Sequence, residues 1–187
     1  IIQIPCYNEA DILPETLQSL PRKVEGFESV EWLIIDDGST DGTAAIAESY
    51  NVDHIIKSPK NQGLAKSFII GLDNCLQLKA DVIVNLDADN QYFAGDISKL
   101  TKPILDGKAD ITIGERPIDQ IKQFSFLKKY LQKLGSWTVR KISNTNIIDA
   151  PSGFRALSKN AALQINIFND YTYTLEMIIQ AGRKNMS

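Results

Sequence analysis

Short apolar segments, among them "IIQI", "EWLIID", "VDHIIK", "DVIVNL" and "ADITIG", alternate with stretches whose apolar residues recur at helical spacing. This alternation constrains the fold more than any other feature. Strands that are almost continuously apolar are buried on both faces, and strand–helix alternation covers those faces with helices. The expected fold class is therefore α/β, with a mainly parallel central sheet flanked by helices. "EADILPETLQSL", Ser39 to Tyr50, "GLAKSFIIGLDNCLQL" and "GDISKLTKPIL" supply the helices.

At 187 residues the chain fills one domain and is too short for two comfortable ones. Its hydrophobic content of 43% and charged content of 23% are those of a water-soluble globular unit. No apolar run approaches the roughly 20 residues that cross a bilayer, and no signal-like segment opens the chain. "IIQIP" is already strand-like and "GRKNMS" follows a helical pattern directly, so both termini read as truncated. A net charge of −3 argues against general nucleic-acid binding. Cys6 and Cys75 have neither framework nor metal spacing, which fits a reducing compartment.

In a sheet of this kind ligands sit beyond the carboxyl ends of the strands. Those ends read "PCYNE" (Pro5 to Glu9), "DDGSTDGT" (Asp36 to Thr43), "KNQG" (Lys60 to Gly63), "DADNQ" (Asp87 to Gln91) and "GERP" (Gly114 to Pro117). Ser39 to Gly42 are explained as a turn feeding a helix. The adjacent Asp36 and Asp37 are not, because like charges at a strand end repel; a ribose or base would use such a carboxylate as a hydrogen-bond acceptor. In "DADNQ", residues two apart in extended backbone point the same way, so Asp87 and Asp89 share a side. Such a pair suits Mg²⁺ or Mn²⁺, which takes one or two carboxylates and completes its shell with water and phosphate oxygens. Gln91 offers a further neutral oxygen. Gly63 permits a tight turn into the next helix, close to a donor or nucleotide.

The ordered series I-P-x-Y-N-E, D-D-G-S-T-D-G-T, N-x-G and D-A-D resembles the nucleotide-sugar-binding half of family-two glycosyltransferases, and it runs along nearly the whole chain. Gln91, Arg116 in "GERP" and "DAPSGFRALS" (Asp149 to Ser158) narrow the resemblance to the dolichol-phosphate mannose synthase branch with its bacterial polyprenyl-phosphate relatives. The resemblance implies a GT-A fold, Rossmann-like in its nucleotide-sugar-binding part, divided into residues 1–117 for donor and metal and 118–187 for the acceptor. It implies an inverting transfer that uses Mg²⁺ or Mn²⁺. The donor would be a nucleoside-diphosphate sugar such as GDP-mannose, UDP-glucose or a UDP-N-acetylhexosamine. The acceptor would be a polyprenyl or dolichyl phosphate at the cytoplasmic face of a membrane. By residue, Pro5, Tyr7 and Glu9 would line the nucleoside pocket, with Asp37 and Asp36 reaching base or ribose. Asp87, Ala88, Asp89 and Gln91 would hold metal and diphosphate. Arg116 and Arg155 would bind phosphates, and Asp149 would be the catalytic base. Pro151 stands where the branch more often has a small residue. Glu176 is either an acceptor-side acid or a solvated helical charge.

Residues 120 to 148 contain no Asp or Glu but carry Lys122, Lys128, Lys129, Lys133, Arg140 and Lys141. Phe124, Leu127, Tyr130, Leu131, Leu134 and Trp137 recur beside them at helical spacing. A basic amphipathic helix with aromatics suits an anionic membrane surface, the bland alternative being a core helix with solvated lysines.

Other classes fit less well. His54 is the only histidine and has no nucleophile pattern near it, against a Ser-His-Asp or Cys-His hydrolase. "KNQGLAK" lacks the Gly-Lys-Ser/Thr ending of a phosphate loop. A sugar-1-phosphate nucleotidyltransferase would carry a Gly-rich basic loop where this chain has "PCYNEAD". A transferase acting on a saccharide acceptor, and a catalytically inactive nucleotide-sugar-binding domain, stay open on sequence alone.

Overall fold

The computed structural model describes residues 1–89, 92–115, 126–145 and 147–187, with residues 126–134 described by backbone alone. Six strands form one sheet in the order β3-β2-β1-β4-β6-β5. They are β1 Ile2–Cys6, β2 Trp32–Asp36, β3 His54–Lys57, β4 Val82–Asn85, β5 Ile111–Ile113 and β6 Arg155–Ser158. The strands β1 to β4 pair in parallel, whereas β6 is antiparallel to both β4 and β5. The mainly parallel sheet is as expected. The reversed strand β6 was not separately read, because "RALS" is four residues long and its neighbours in sequence are turn-like.

Alternation along the strands sends side chains to two faces. One face carries Ile2, Ile4, Trp32, Ile34, Val82, Val84 and Ala156 under α1 (Leu13–Ser19), α2 (Thr43–Ser49) and α4 (Ile97–Leu105). The other carries Leu33, Ile35, Ile83 and Leu157 under α3 (Leu64–Gln77), α6 (Lys159–Gln164) and α7 (Thr174–Arg183). A row of polar residues interrupts this second face. Gln3, Asn85 and Arg155 are neighbours in register across β1, β4 and β6, and each is 0% exposed.

The last helix of the set, α5 (Phe126–Ser143), packs against α7. Its described part buries Ser136, Val139 and Ser143 and exposes Trp137, Lys141 and Ile142. Trp137, expected on an apolar stripe with the earlier aromatics, is thus half exposed beside a lysine rather than packed in the core. The side chains of Lys122, Phe124, Leu127, Lys128, Lys129, Tyr130, Leu131, Lys133 and Leu134 lie outside the described residues. Among the described residues, no helix is long and apolar enough to cross a membrane.

Strand order reverses between β1 and β4, since β2 and β3 lie on one side of β1 and β4 on the other. Carboxyl-end loops diverge at such a point and leave a crevice. The chain places "YNE" after β1 and "LDAD" after β4, on the two sides of that crevice.

Candidate active site

The first wall of the crevice is built by the loop after β1 gripping the loop after β2. Asn8, left-handed at φ 55°, accepts from the Thr40 amide at 2.9 Å, and its own amide donates to Ser39 Oγ at 2.9 Å. The Glu9 amide donates to Thr43 Oγ1 at 3.0 Å and the Ala10 amide to Asp41 Oδ2 at 3.0 Å. Asp41 also accepts from the Thr43 hydroxyl and amide, and these bonds, the hydroxyl first, hold its carboxyl below its ordinary range. The "STDGT" segment is therefore spent on loop docking and on the start of α2, as its turn chemistry suggests. Tyr7 stands out from this wall at 47% exposure, while Pro5 is buried in register with Ile35.

The two aspartates after β2 are used locally. Asp36 and Asp37 are 5% and 3% exposed. Asp36 accepts from the Ser39 amide at 2.9 Å. Asp37 accepts from the Gln62 amide at 2.9 and 3.0 Å and from the Gly63 amide at 2.8 Å. Charge-assisted bonds of this kind are among the stronger ones available to a carboxylate. Asp37 thereby clamps the Lys60–Gly63 loop at the start of the fourteen-residue helix α3. The clamp needs Gly38: φ is +77°, and an added Cβ would lie 2.5 Å from the Lys60 carbonyl carbon. The expected contact of Asp37 with base or ribose is thus paralleled by a structural task the sequence did not reveal.

The opposite wall carries Asp87 and Asp89, both half-buried, around the buried Ala88. Thr16 Oγ1 on α1 donates to the Ala88 carbonyl at 2.7 Å and pins the segment. The Asp87 carboxylate lies on the α-carbon of Gly153, where a Cβ would come within 2.1 Å of Asp87 Oδ2. Across the crevice, burial and then the charges of Asp89 and Asp41 push the Glu9 carboxyl up from its ordinary range. A carboxylate pushed toward its protonated form by neighbouring negative charge is equally disposed to a divalent cation. The donor set therefore fits Mg²⁺ or Mn²⁺. Among the described residues no group of three or more His, Cys, Asp or Glu converges on one point, and Gln91 and Arg116 lie outside the described residues.

Arg155 departs from its expected role. Its guanidinium is 0% exposed and donates to the backbone carbonyls of Ser152 (2.7 Å), Thr174 (2.7 Å) and Ala150 (2.6 Å). Burial lowers its pKa to about 10, against the opposing pull of Tyr173, Tyr92, Asp87 and Asp149, and it stays charged at neutral pH. A guanidinium committed in this way cannot also face a substrate phosphate. Its effect is to lock the "APS" turn to the first residue of α7.

Asp149 is 1% exposed and lines a cavity of about 530 Å³ together with Ile113, Glu115, Ile147, Met177 and Ile178. The turn that follows it is fixed by the Ser152 hydroxyl, which donates to the Gly114 carbonyl at 2.6 Å and meets the Tyr92 hydroxyl at 3.0 Å. Pro151 is exposed in this turn and disturbs none of these bonds. Glu176 accepts from the Phe168 and Asn169 amides at 3.0 to 3.1 Å, so it is neither idle nor directed into the crevice. His54 pairs with Glu31 at 2.7 Å near the amino ends of the strands, remote from the crevice.

The model of glycosyl transferase family 2 matches residues 1–166. The chain is 29% identical to the UDP-N-acetylglucosamine–dolichyl-phosphate N-acetylglucosaminyltransferase of Methanococcus voltae, over 84% of this chain and 68% of that protein. It is 28% identical to the polyprenol monophosphomannose synthase of Mycolicibacterium smegmatis, over 89% of this chain and 64% of that one. Its fold matches glucosyl-3-phosphoglycerate synthase of Mycobacterium tuberculosis, solved with Mn²⁺, UDP-glucose and phosphoglyceric acid, at a TM-score of 0.78 and 16% identity, over 98% of this chain and 64% of that chain. The chain thus spans about two thirds of the length of each of these three proteins. With the strand order, the switch-point crevice and the paired aspartates in place, the chain belongs to glycosyltransferase family 2, has its GT-A fold, and has relatives in the dolichol- and polyprenyl-phosphate branch.

Proposed function

We propose that this protein transfers a sugar from a nucleoside-diphosphate sugar to a polyprenyl or dolichyl phosphate at the cytoplasmic surface of a membrane, inverting the anomeric centre. The observation that carries the reading is the approach of Glu9 from the β1 loop to Asp89 of the β4 loop, across the switch point, with Asp87 two residues before it. Residues 1–117 serve the donor and residues 118–187 the acceptor. Tyr7 offers an exposed ring to the nucleoside, and Asp36, Asp37 and Gly63 shape the loops around it. Asp87 and Asp89, with Gln91, would hold Mg²⁺ or Mn²⁺. When bound, that ion neutralises the charge growing on the leaving diphosphate. Arg116 would add a second positive charge there. Asp149 would receive a proton from the acceptor where one has to be lost; an ionised phosphate is already nucleophilic and asks less of a base.

The lipid acceptor is supported by the two dolichyl- and polyprenol-linked relatives and by the exposed Trp137 and Ile142 beside Lys141 on α5. Each basic residue near an anionic surface adds roughly 1 kcal/mol of attraction. The test is acceptor competition. Radiolabelled donor, supplied with an undecaprenyl phosphate and an oligosaccharide mixture, is expected to carry its label into the organic phase. Label that enters the oligosaccharide alone contradicts the lipid acceptor and leaves a saccharide-directed transferase.

A further inference from the structure

The polar row beneath the crevice is not explained by the sheet. Amides buried in central strands cost stability unless every donor and acceptor is satisfied, and valine or leucine would serve packing better. Here the amides are joined in a directional chain. Gln3 Nε2 donates to Asn85 Oδ1 at 2.9 Å, and the Cys75 thiol lies 3.7 Å from Gln3 Oε1. Asn85 Nδ2 then donates to the Gly153 carbonyl at 2.9 Å and to the Tyr173 hydroxyl at 2.8 Å. The Gly153 carbonyl can only accept, so the amide has one orientation. Tyr173 is itself 0% exposed, stacked on Phe68 with ring centroids 3.8 Å apart.

Two residues downstream of Asn85 the same side of the chain delivers Asp87. Its carboxylate rests on Gly153, the residue whose carbonyl Asn85 holds, and its charge acts on both Tyr173 and Arg155. The floor under Asp87 is therefore fixed by Asn85 from below and by Tyr173, at the head of α7, from the acceptor side.

We propose that Asn85 is a positioning residue for Asp87, acting through Gly153 and Tyr173, with Gln3 donating to the oxygen of its amide. The inference rests on the reading of Asp87 as a metal carboxylate. Partners one step behind a metal ligand typically change metal affinity by 10- to 100-fold when removed. The device also ties α7 to the metal wall, so that the acceptor side and the donor side share one rigid base.

The test is Mn²⁺ affinity, by calorimetry with UDP and with GDP, for the wild type, Tyr173→Phe and Asn85→Leu, each paired with its thermal midpoint. Tyr173→Phe removes one hydroxyl and keeps the stack on Phe68, so it remains folded even if Asn85→Leu does not. The expected result is about a tenfold loss of Mn²⁺ affinity in Tyr173→Phe with a small change in midpoint. A lowered midpoint with unchanged Mn²⁺ affinity overturns the inference and leaves a purely structural network. A wild type that binds no Mn²⁺ with either nucleotide overturns the metal reading and this inference with it.

Discussion

Asp89→Asn is expected to lower sugar transfer by about 10²- to 10³-fold, the usual effect of removing one group that stabilises developing charge. The substitution keeps the size of the side chain, removes the charge and replaces one acceptor oxygen by a donor. Asp89 is half-buried at a segment that the Thr16–Ala88 bond also holds, so the segment does not hang on Asp89 alone. Loss of the charge also relieves Glu9, whose carboxyl the Asp89 charge helps to push up. The metal-free variant should therefore melt no lower than the wild type. Initial rates at saturating donor, set beside thermal midpoints, check both statements. A variant that retains activity within a few-fold would remove Asp89 from the reaction.

Arg155→Met is expected to cost about 3–5 kcal/mol of folding free energy, the range for removing one partner of a buried charged network. Methionine is apolar and unbranched and fills much of the space, so the loss is chiefly electrostatic. Three backbone carbonyls lose their donors, and the Asp87 and Asp149 charges lose a cation that each of them acts on. Urea unfolding measures the loss. Two readings of Arg155 diverge here: a phosphate ligand at the surface would leave the midpoint unchanged and raise the KM for donor or acceptor. The structural reading predicts the opposite order, with stability falling first and activity lost because the "APS" turn and α7 move.

The parallel part of the fold was legible because β1, β2 and β4 are buried along their whole length and read as apolar runs bounded by turn residues. The crevice was legible for the same reason, since charged residues directly after a buried strand have few structural uses. Asp37 and Arg155 were harder to read. Both occupy positions where a ligand contact and a backbone clamp demand the same residue type, and sequence carries no sign of which loop will fold back to be clamped. Gly63 was visible as a turn residue, but Gly38 was not singled out, because the approach of Lys60 that makes it necessary depends on β3 lying beside β2. The Gln3–Asn85–Tyr173 network did leave a trace, as amides inside "IIQI" and "VIVN". Only the register, which sets Gln3 against Asn85 and Asn85 against Arg155, turns those two separate oddities into one row.

Donor binding tests the central claim most directly. Calorimetric titration of GDP-mannose, UDP-glucose and UDP-N-acetylglucosamine into the protein, first with Mn²⁺ and then with excess EDTA, is predicted to show binding of one donor that EDTA abolishes. Absence of binding by all three to a demonstrably folded protein, or binding indifferent to EDTA, would contradict a metal-dependent donor site at Asp87 and Asp89.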